Sequence, residues 1–387
     1  MVSRRREFAL ATSIAVVATA GALAAGEGLL RLALNPGDFL YATVVADPIL
    51  GHRIPPQSAG HDAMGFRNTA LQQSADIIAI GDSMTYGVSA SREGSWPYQL
   101  GVALRRPVYN MGLGGYGPLQ YLHLMRETVP HFSPRLVVVG FYTGNDVLDA
   151  YDMPQDLPHW SSWRLSTRPP GRMSASQIAL AAEPTRFLGG FRDWLARNSM
   201  LYGVVRATVL SRIAGRERAA QAARVSPEVW MAWSDPARPA VKTIFAPATW
   251  LANMDPGSEI GRDGVAIAKR VLTEIKSEAE KRGARLLIAI IPTKERVYCP
   301  YMKATGAQLP ASFERLCAVE AALIADFSAF LGSAGIAYID TSPALQEYAA
   351  SHVPIYQQDN DSHPVAAGYG VIAAEVARAA RPMLAKP

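Results

Sequence analysis

Three observations predict an α/β fold with a parallel sheet for this chain of 387 residues. Short, almost wholly apolar runs recur, each long enough for a strand and too short for a helix. Segments with helical start and stop signals stand between them. Several of the runs end directly in Gly-, Ser- or Asn-containing loops. Strands that are apolar on both faces belong in a sheet covered on both sides, and strands alternating with helices make that sheet parallel.

The elements follow in order. Ala75-Asp76-Ile77-Ile78-Ala79-Ile80 reads as a buried strand ending at Gly81, and residues 92–105 as a helix. Pro107-Val108-Tyr109-Asn110 is a second strand. Residues 118–128 form a helix, opened by Pro118, which suits a first helical turn. Leu136 to Tyr142 is the clearest strand. A helix over 264–282 closes on Lys281-Arg282-Gly283, cations and then glycine where a helix C-terminus favours them. A strand over 286–291, a helix over 311–331, a strand over 336–339 and a helix over 365–380 complete the series.

Both ends of the composition scale are excluded. With 49% hydrophobic and 18% charged residues, the chain can bury a large core and is not disordered. The net charge of +5 is mild, and the body of the chain has no dense Lys/Arg block, so no nucleic-acid partner is expected.

The N-terminus differs from the rest. Arg4, Arg5 and Arg6 precede an uncharged stretch of 19 residues from Phe8 to Gly26. That is close to the ~20 residues that span a bilayer as a helix, and arginines ahead of it place the N-terminus inside and the body outside. Ala22-Leu23-Ala24 offers a small-residue site for signal cleavage, and Arg5-Arg6 a twin-arginine look. Against cleavage, apolar character resumes at Gly28-Leu29-Leu30. Residues 1–34 are therefore an anchor or a signal, and either sends residues 35–387 out of the cytoplasm, membrane-anchored or secreted. Two cysteines, Cys299 and Cys317, suit an oxidising compartment as one disulfide or stay as two thiols. Neither has metal-ligand company.

One segment breaks the rhythm. Residues 150–250 hold six of the seven tryptophans and 13 Arg/Lys against 7 Asp/Glu, so they carry the chain's whole excess of positive charge. They read as an insertion or cap beside the site, with a long basic helix over 186–222. Its aromatics are candidates to stack on sugars and its basic face to lie on anionic headgroups, unless they serve as core tryptophans and a solvated face.

Four separated blocks carry chemistry. Gly81-Asp82-Ser83-Met84-Thr85-Tyr86-Gly87 sets a serine where a parallel sheet presents a nucleophile. A serine hydroxyl needs a base, and Asp361-Ser362-His363-Pro364 supplies a histidine with a carboxylate beside it. Asn110-Met111-Gly112-Leu113-Gly114-Gly115 and Thr143-Gly144-Asn145-Asp146 offer backbone and side-chain N–H donors for a developing oxyanion.

These four blocks, in this order, resemble those of the SGNH (GDSL) hydrolase superfamily, over residues 70–150 and 260–385. The resemblance implies a flavodoxin-like three-layer sandwich and serine esterase or acyltransferase chemistry without a cofactor or metal. By motif, Ser83 corresponds to the nucleophile and His363 to the base. The Ser83 N–H, Gly115 and Asn145 correspond to the oxyanion hole. The usual acidic position, three residues before the histidine, is Asn360, so Asp361, two before, is the expected triad member, with Asp359 as its rival. Asp82 is expected to brace the serine loop. Gly65-Phe66-Arg67-Asn68 resembles a segment of anchored members, without an evident mechanism, and Ile291 to Tyr298 resembles relatives that modify exported polysaccharides. The expected activity is hydrolysis of an acyl ester, acetyl included, on a glycan or lipid outside the cytoplasm. The alternatives are O-acyl transfer to an exported polysaccharide and a non-catalytic binding module.

Overall fold

Five parallel strands form the centre: β3 (Ile77–Gly81), β4 (Val108–Gly112), β5 (Leu136–Tyr142), β8 (Arg285–Ile291) and β9 (Ala337–Asp340), in the spatial order β4-β3-β5-β8-β9. The computed structural model describes residues 2–71, 74–168, 189–210, 213, 217, 220–222, 224–239, 241–351 and 354–385. Counted within the sheet alone, the order is 2-1-3-4-5, the flavodoxin-like arrangement, whose order reverses at the first strand and opens a crevice at the carboxyl ends there.

Alternation along each strand explains the three layers. Ile78 and Ile80 of β3, Val137, Val139 and Phe141 of β5, and Ile288 and Ile290 of β8 face one core. Ile77 and Ala79, Leu136 and Val138, and Leu287 and Ala289 face the other. The first core is closed by the helices Pro118–His123, Glu259–Lys281 and Ala311–Ser333, the second by Trp96–Leu104, Lys294–Ala304 and Ala366–Ala385. Ala311–Ser333 is long and apolar enough to cross a membrane, but its buried positions, Phe313, Leu316, Glu320, Leu323, Ile324 and Phe327, repeat every three or four residues, the stripe of a core helix.

Other elements complete the body. A hairpin of β1 (Val45–Asp47) and β2 (Gly51–Arg53) is closed by Asp47, whose carboxylate accepts from the Ile49 and Leu50 N–H groups, both at 2.9 Å. A second hairpin, β6 (Met231–Ser234) and β7 (Lys242–Phe245), comes from the 150–250 segment. Neither hairpin is evident in the sequence pattern. The N-terminal helix, Val2–Ala33, runs on past Glu27, and its stretch Arg6–Ala33 is long and apolar enough to cross a membrane with none of its most apolar window buried.

Two expectations are corrected. The helix over 118–128 stays α-helical only to His123, then widens into a π turn, Leu124–Thr128, and tightens into a 3-10 turn, Val129–His131. Pro130 has no N–H to continue the ladder. Among the described residues the helix expected over 186–222 is broken: Gly189–Asn198 is followed by Met200–Val205 and then by a π turn to Leu210, with helical residues again at 213, 217 and 220–222. It breaks at Ser199, which is extended (φ −116°, ψ 115°) and caps the second helix by accepting from the Tyr202 N–H at 3.2 Å. Part of the expected span, including residues 214–216, lies outside the described residues. Of the segment's tryptophans, Trp160, Trp163 and Trp233 are buried, while Trp194 is exposed.

Cys299 and Cys317 form a disulfide between neighbouring helices, with Cα atoms 6.5 Å apart and both side chains buried. Closing a loop of this length in the unfolded chain stabilises the fold by ~3 kcal/mol in the chain-entropy account. The double variant Cys299→Ala/Cys317→Ala is expected to lose about 2–4 kcal/mol in urea unfolding, with an m-value that rises because the denatured chain is no longer cross-linked. An unchanged midpoint would show that the cross-link adds nothing.

Candidate active site

β3 ends at Gly81, and Asp82 then caps a single helical turn, Ser83–Tyr86, by accepting from the Met84 N–H at 2.8 Å. This puts Ser83 at the carboxyl end of the strand where the sheet order reverses. The turn stops at Gly87, left-handed at φ 86°, a conformation that suits glycine. The expected role of Asp82 as a brace is thus visible as a cap. Its carboxyl, fully buried, is pushed up to about 6 by burial, which outweighs the Met84 N–H and the His363 charge.

At the other end of the chain, His363 faces Ser83. His363 Nε2 lies 2.7 Å from Ser83 Oγ, and His363 Nδ1 lies 2.5 Å from Asp361 Oδ1. The same Asp361 oxygen accepts from the His363 backbone N–H at 3.0 Å, which folds residues 361–363 into the turn that lets a side chain two positions away reach the imidazole. Burial raises the Asp361 carboxyl, but the hydrogen bond from His363, its charge and a bond from Ser89 together hold it far below the usual carboxylate range. Asp359 instead accepts from the Asp361 N–H at 2.9 Å and so shapes the turn. The structure brings Asp361, not Asp359, to His363.

The donor blocks lie at the same end of the sheet. Gly115 is left-handed at φ 78°, and a methyl group on Gly114 would stand 3.8 Å from the Ser83 Cβ. Among the described residues the Gly115 N–H has no hydrogen-bond partner. The loop is held by His52 of β2, whose Nε2 lies 2.8 Å from the Gly114 carbonyl oxygen. Asn145 is half-buried before the helix Asp146–Asp156, where its side chain acts to lower the Asp82 carboxyl against burial, and its Oδ1 is buried without a partner among the described residues. Its loop is pinned by Asp146, which accepts from the Tyr142 N–H at 2.9 Å and the Tyr121 hydroxyl at 2.7 Å.

Several positioning residues escaped the sequence reading. Ser89, left-handed at φ 66°, donates its hydroxyl to Asp361 Oδ2. Lys294 is 1% exposed, and its ammonium donates to the carbonyls of Ile244 (2.8 Å), Asp361 (2.9 Å) and Asp359 (3.1 Å) and to Thr243 Oγ1 (3.1 Å). Burial pulls its pKa down, against the charges of Glu295, Asp361 and Asp359. Glu320 accepts from the Thr143 hydroxyl (2.6 Å) and from the Thr293 N–H (2.7 Å) and hydroxyl (2.5 Å), tying the loop after β5 to the loop after β8. Arg67 gives Gly65–Asn68 its mechanism. It donates to the carbonyls of Gly87 (2.8 Å) and Ala90 (2.9 Å) behind the serine turn and pairs with Asp38 at 2.7 Å. The available signals were Lys294 within the singled-out Ile291–Tyr298 run and a serine six residues after Ser83.

Residues 253–386 match the family model described as SGNH hydrolase-like domain, acetyltransferase AlgX. This stretch, about a third of the chain, is similar to an SGNH hydrolase-like domain. The matched stretch includes Lys294, Glu320, Asp361 and His363; Ser83, Gly115 and Asn145 precede it. No curated protein matches the sequence. Among solved structures, a member of the lipolytic protein G-D-S-L family from Veillonella parvula aligns at 10% identity, over 78% of this chain and 96% of that one, with a TM-score of 0.36. Axe2, an acetylxylan esterase from Geobacillus stearothermophilus, aligns at 12% identity over 80% and 95%, with a TM-score of 0.37. The strand order and the residues above, not these slight likenesses, carry the fold and the site.

Two outcomes follow from the positioning residues. Ser89→Ala removes a hydrogen bond to a charged acceptor, typically ~1.5–3 kcal/mol. Ester turnover should show kcat down by roughly 10-fold or more with KM unchanged, and an acid limb of the pH profile that moves, which a general loss of stability would not produce. Glu320 is pushed up to about 7, chiefly by burial. Its stabilising contribution is therefore complete below its unfolded value of ~4.3 and lost as pH rises through 7. The stability difference between wild type and Glu320→Gln, measured by denaturant unfolding, should shrink from pH 5 to pH 8; a difference independent of pH would show that Glu320 does not titrate in this range.

Proposed function

We propose that Ser83 is the nucleophile of an acyl-transfer enzyme, with His363 as general base and Asp361 as the carboxylate that orients it. The observation that carries this is the continuous relay Asp361 Oδ1–His363 Nδ1 (2.5 Å) and His363 Nε2–Ser83 Oγ (2.7 Å) at the crevice of the sheet. With Nδ1–H committed to Asp361, Nε2 is free to take the serine proton as Oγ attacks an ester carbonyl. The carbonyl oxygen becomes an oxyanion, met by the N–H groups of Ser83 and Gly115 and by Asn145. The Asn145 amide nitrogen carries two protons, either of which can be offered to the oxyanion. His363 returns the proton to the departing alcohol oxygen. An acceptor O–H then loses its proton to Nε2, attacks the acyl-enzyme and regenerates Ser83.

The leading reading takes water as acceptor, making the protein an esterase acting on an acyl ester, acetyl included, of a glycan or lipid. A second reading, in which a polysaccharide hydroxyl is the acceptor, is favoured by the match of residues 253–386 to a domain described as an acetyltransferase. Both place the work outside the cytoplasm. Support comes from the arginines ahead of an apolar helix and from a disulfide, which persists in oxidising compartments.

The test uses the full-length protein with short-chain nitrophenyl esters and acetylated glycans, with and without a glycan acceptor. Ser83→Ala should abolish turnover while leaving unfolding unchanged; retained turnover would end the serine mechanism. Asn145→Ala should lower kcat by ~10²–10³, whereas an effect confined to KM would make it a substrate-binding residue. Asp361→Asn should cost far more rate than Asp359→Asn, and the reverse order would move the role to Asp359. Acyl-glycan formed in preference to free acid would select the transferase.

A further inference from the structure

Among the described residues, the far end of the N-terminal helix is hydrogen-bonded to the body at the junction of the helices Gly189–Asn198 and Met200–Val205. Glu27 accepts from the N–H groups of Met200 (2.8 Å) and Leu201 (3.0 Å) and from the Ser199 hydroxyl (3.1 Å), so its carboxylate caps the second helix. Arg31, paired with Glu27 at 2.9 Å, donates to the Asn198 carbonyl at 2.6 Å, the end of the first helix. The opposite side of Met200–Val205 is occupied: Met200 and Gly203 are buried, and Arg206 donates to the Phe39 carbonyl at 2.8 Å and lies over the Tyr41 ring.

This junction fixes a depth. From Phe8 to Glu27 a helix rises about 28 Å, at 1.5 Å per residue, close to the ~30 Å of a bilayer's hydrocarbon core. If the helix spans, Glu27 and Arg31 stand at the outer boundary, and so does the helix junction they hold. The residues that flank the junction are out of keeping with a water-facing surface. Phe191 and Trp194 are 56% and 57% exposed, with rings stacked 6.1 Å apart, one turn before Asn198. Val205 and Val209, 41% and 50% exposed, continue at helical spacing beyond it. Arg192 and Arg197 are exposed beside them, against Asp193 alone. Aromatic rings and cations around apolar side chains, at the level where a span ends, have the composition of a surface lying in the headgroup layer.

We propose that this pair of helices, with the π turn that follows it, is a second membrane contact: Phe191, Trp194, Val205 and Val209 enter the outer interface of the bilayer, and Arg192 and Arg197 meet anionic headgroups. The proposal rests on the anchor reading of the N-terminal helix. Its consequence is orientation. A single span lets the body swivel, whereas a span and an adjoining interfacial surface hold it in one pose.

The experiment uses the full chain reconstituted into vesicles of phosphatidylcholine and phosphatidylglycerol. The cysteines at 299 and 317 are bonded to each other, so Trp194→Cys, Val205→Cys and, as reference, Val102→Cys on the helix Trp96–Leu104 can each carry one polarity-sensitive fluorophore. Flotation reads the anchor; a blue shift and quenching by nitroxide lipids labelled near the headgroup read the surface. The expected result is flotation of all three, with shift and quenching at 194 and 205 well above those at 102. Flotation with equal or absent quenching at the three sites overturns the proposal and leaves the anchor standing. A chain that does not float overturns the anchor and the proposal together. Energy transfer between labels on two chains, rising with protein density and without lipid quenching, would assign the surface to a second copy and also overturn the proposal.

Discussion

The contact on which the site depends joins side chains 280 positions apart, Ser83 and His363. Neither end of it is self-supporting. Ser83 sits on one helical turn, too short to hold itself by helix cooperativity, and His363 follows a turn of Asp, Asn and Ser. Each side is therefore braced from outside. Behind the serine turn, the buried Arg67 guanidinium collects the carbonyls of Gly87 and Ala90 and pairs with Asp38. Behind the histidine turn, the buried Lys294 ammonium collects the carbonyls of Asp359 and Asp361. Backbone carbonyls turned inward need donors, and a buried cation is stable only when it is saturated with acceptors. At Lys294 the two requirements satisfy each other; at Arg67 both terminal nitrogens are engaged, while the buried Nε has no partner among the described residues. Ser89 then ties one side to the other, since it follows the serine turn and donates to Asp361.

The sheet and the relay were legible in the sequence for different reasons. β3, β5 and β8 announce themselves because both faces are covered, so nearly every residue must be apolar. The relay is legible because its chemistry admits few residue types: a serine at a strand end, a histidine, and a carboxylate that a Pro-limited turn can bring round. The braces were not legible. Arg67, Lys294 and Glu320 look in sequence like ordinary charged residues, and only the fold places them at 4%, 1% and 0% exposure. The break at Ser199 was hidden in the same way. Its hydroxyl is a local cap, but Glu27, 172 positions earlier, completes it. The disulfide stayed open because composition gives no distance.

The 150–250 segment shows how a stretch outside the recognisable blocks still enters the site. β7 lies against the turn that carries Asp361: Ile244 N–H donates to the Asp359 carbonyl at 3.1 Å, and Thr243 Oγ1 donates to the carbonyls of Gln357 and Asp359. Lys294 reaches Thr243 and Ile244 as well. The ammonium is thus the node where this hairpin, the helix Lys294–Ala304 and the histidine turn meet. Phe245 and Trp233 of the same hairpin pack into the second core beside Tyr298.

It follows that the segment has two parts with different physics. β6 and β7 are held by backbone hydrogen bonds and core packing, so their displacement would open the turn at Asp359–Asp361 and disturb His363 directly. The helices around Ser199 touch the body through Ala196, whose carbonyl accepts from the Tyr41 N–H at 2.9 Å, and through Met200, Gly203 and Arg206, and touch the N-terminal helix through Glu27 and Arg31. None of those contacts reaches the relay. A change at Trp194 or Val205 should then leave the hydrogen bonds of the relay intact and act only on what the outer face of the molecule meets. The same chain segment can accordingly hold the histidine turn rigid at one end while its other end is free to vary with the surface against which the protein works.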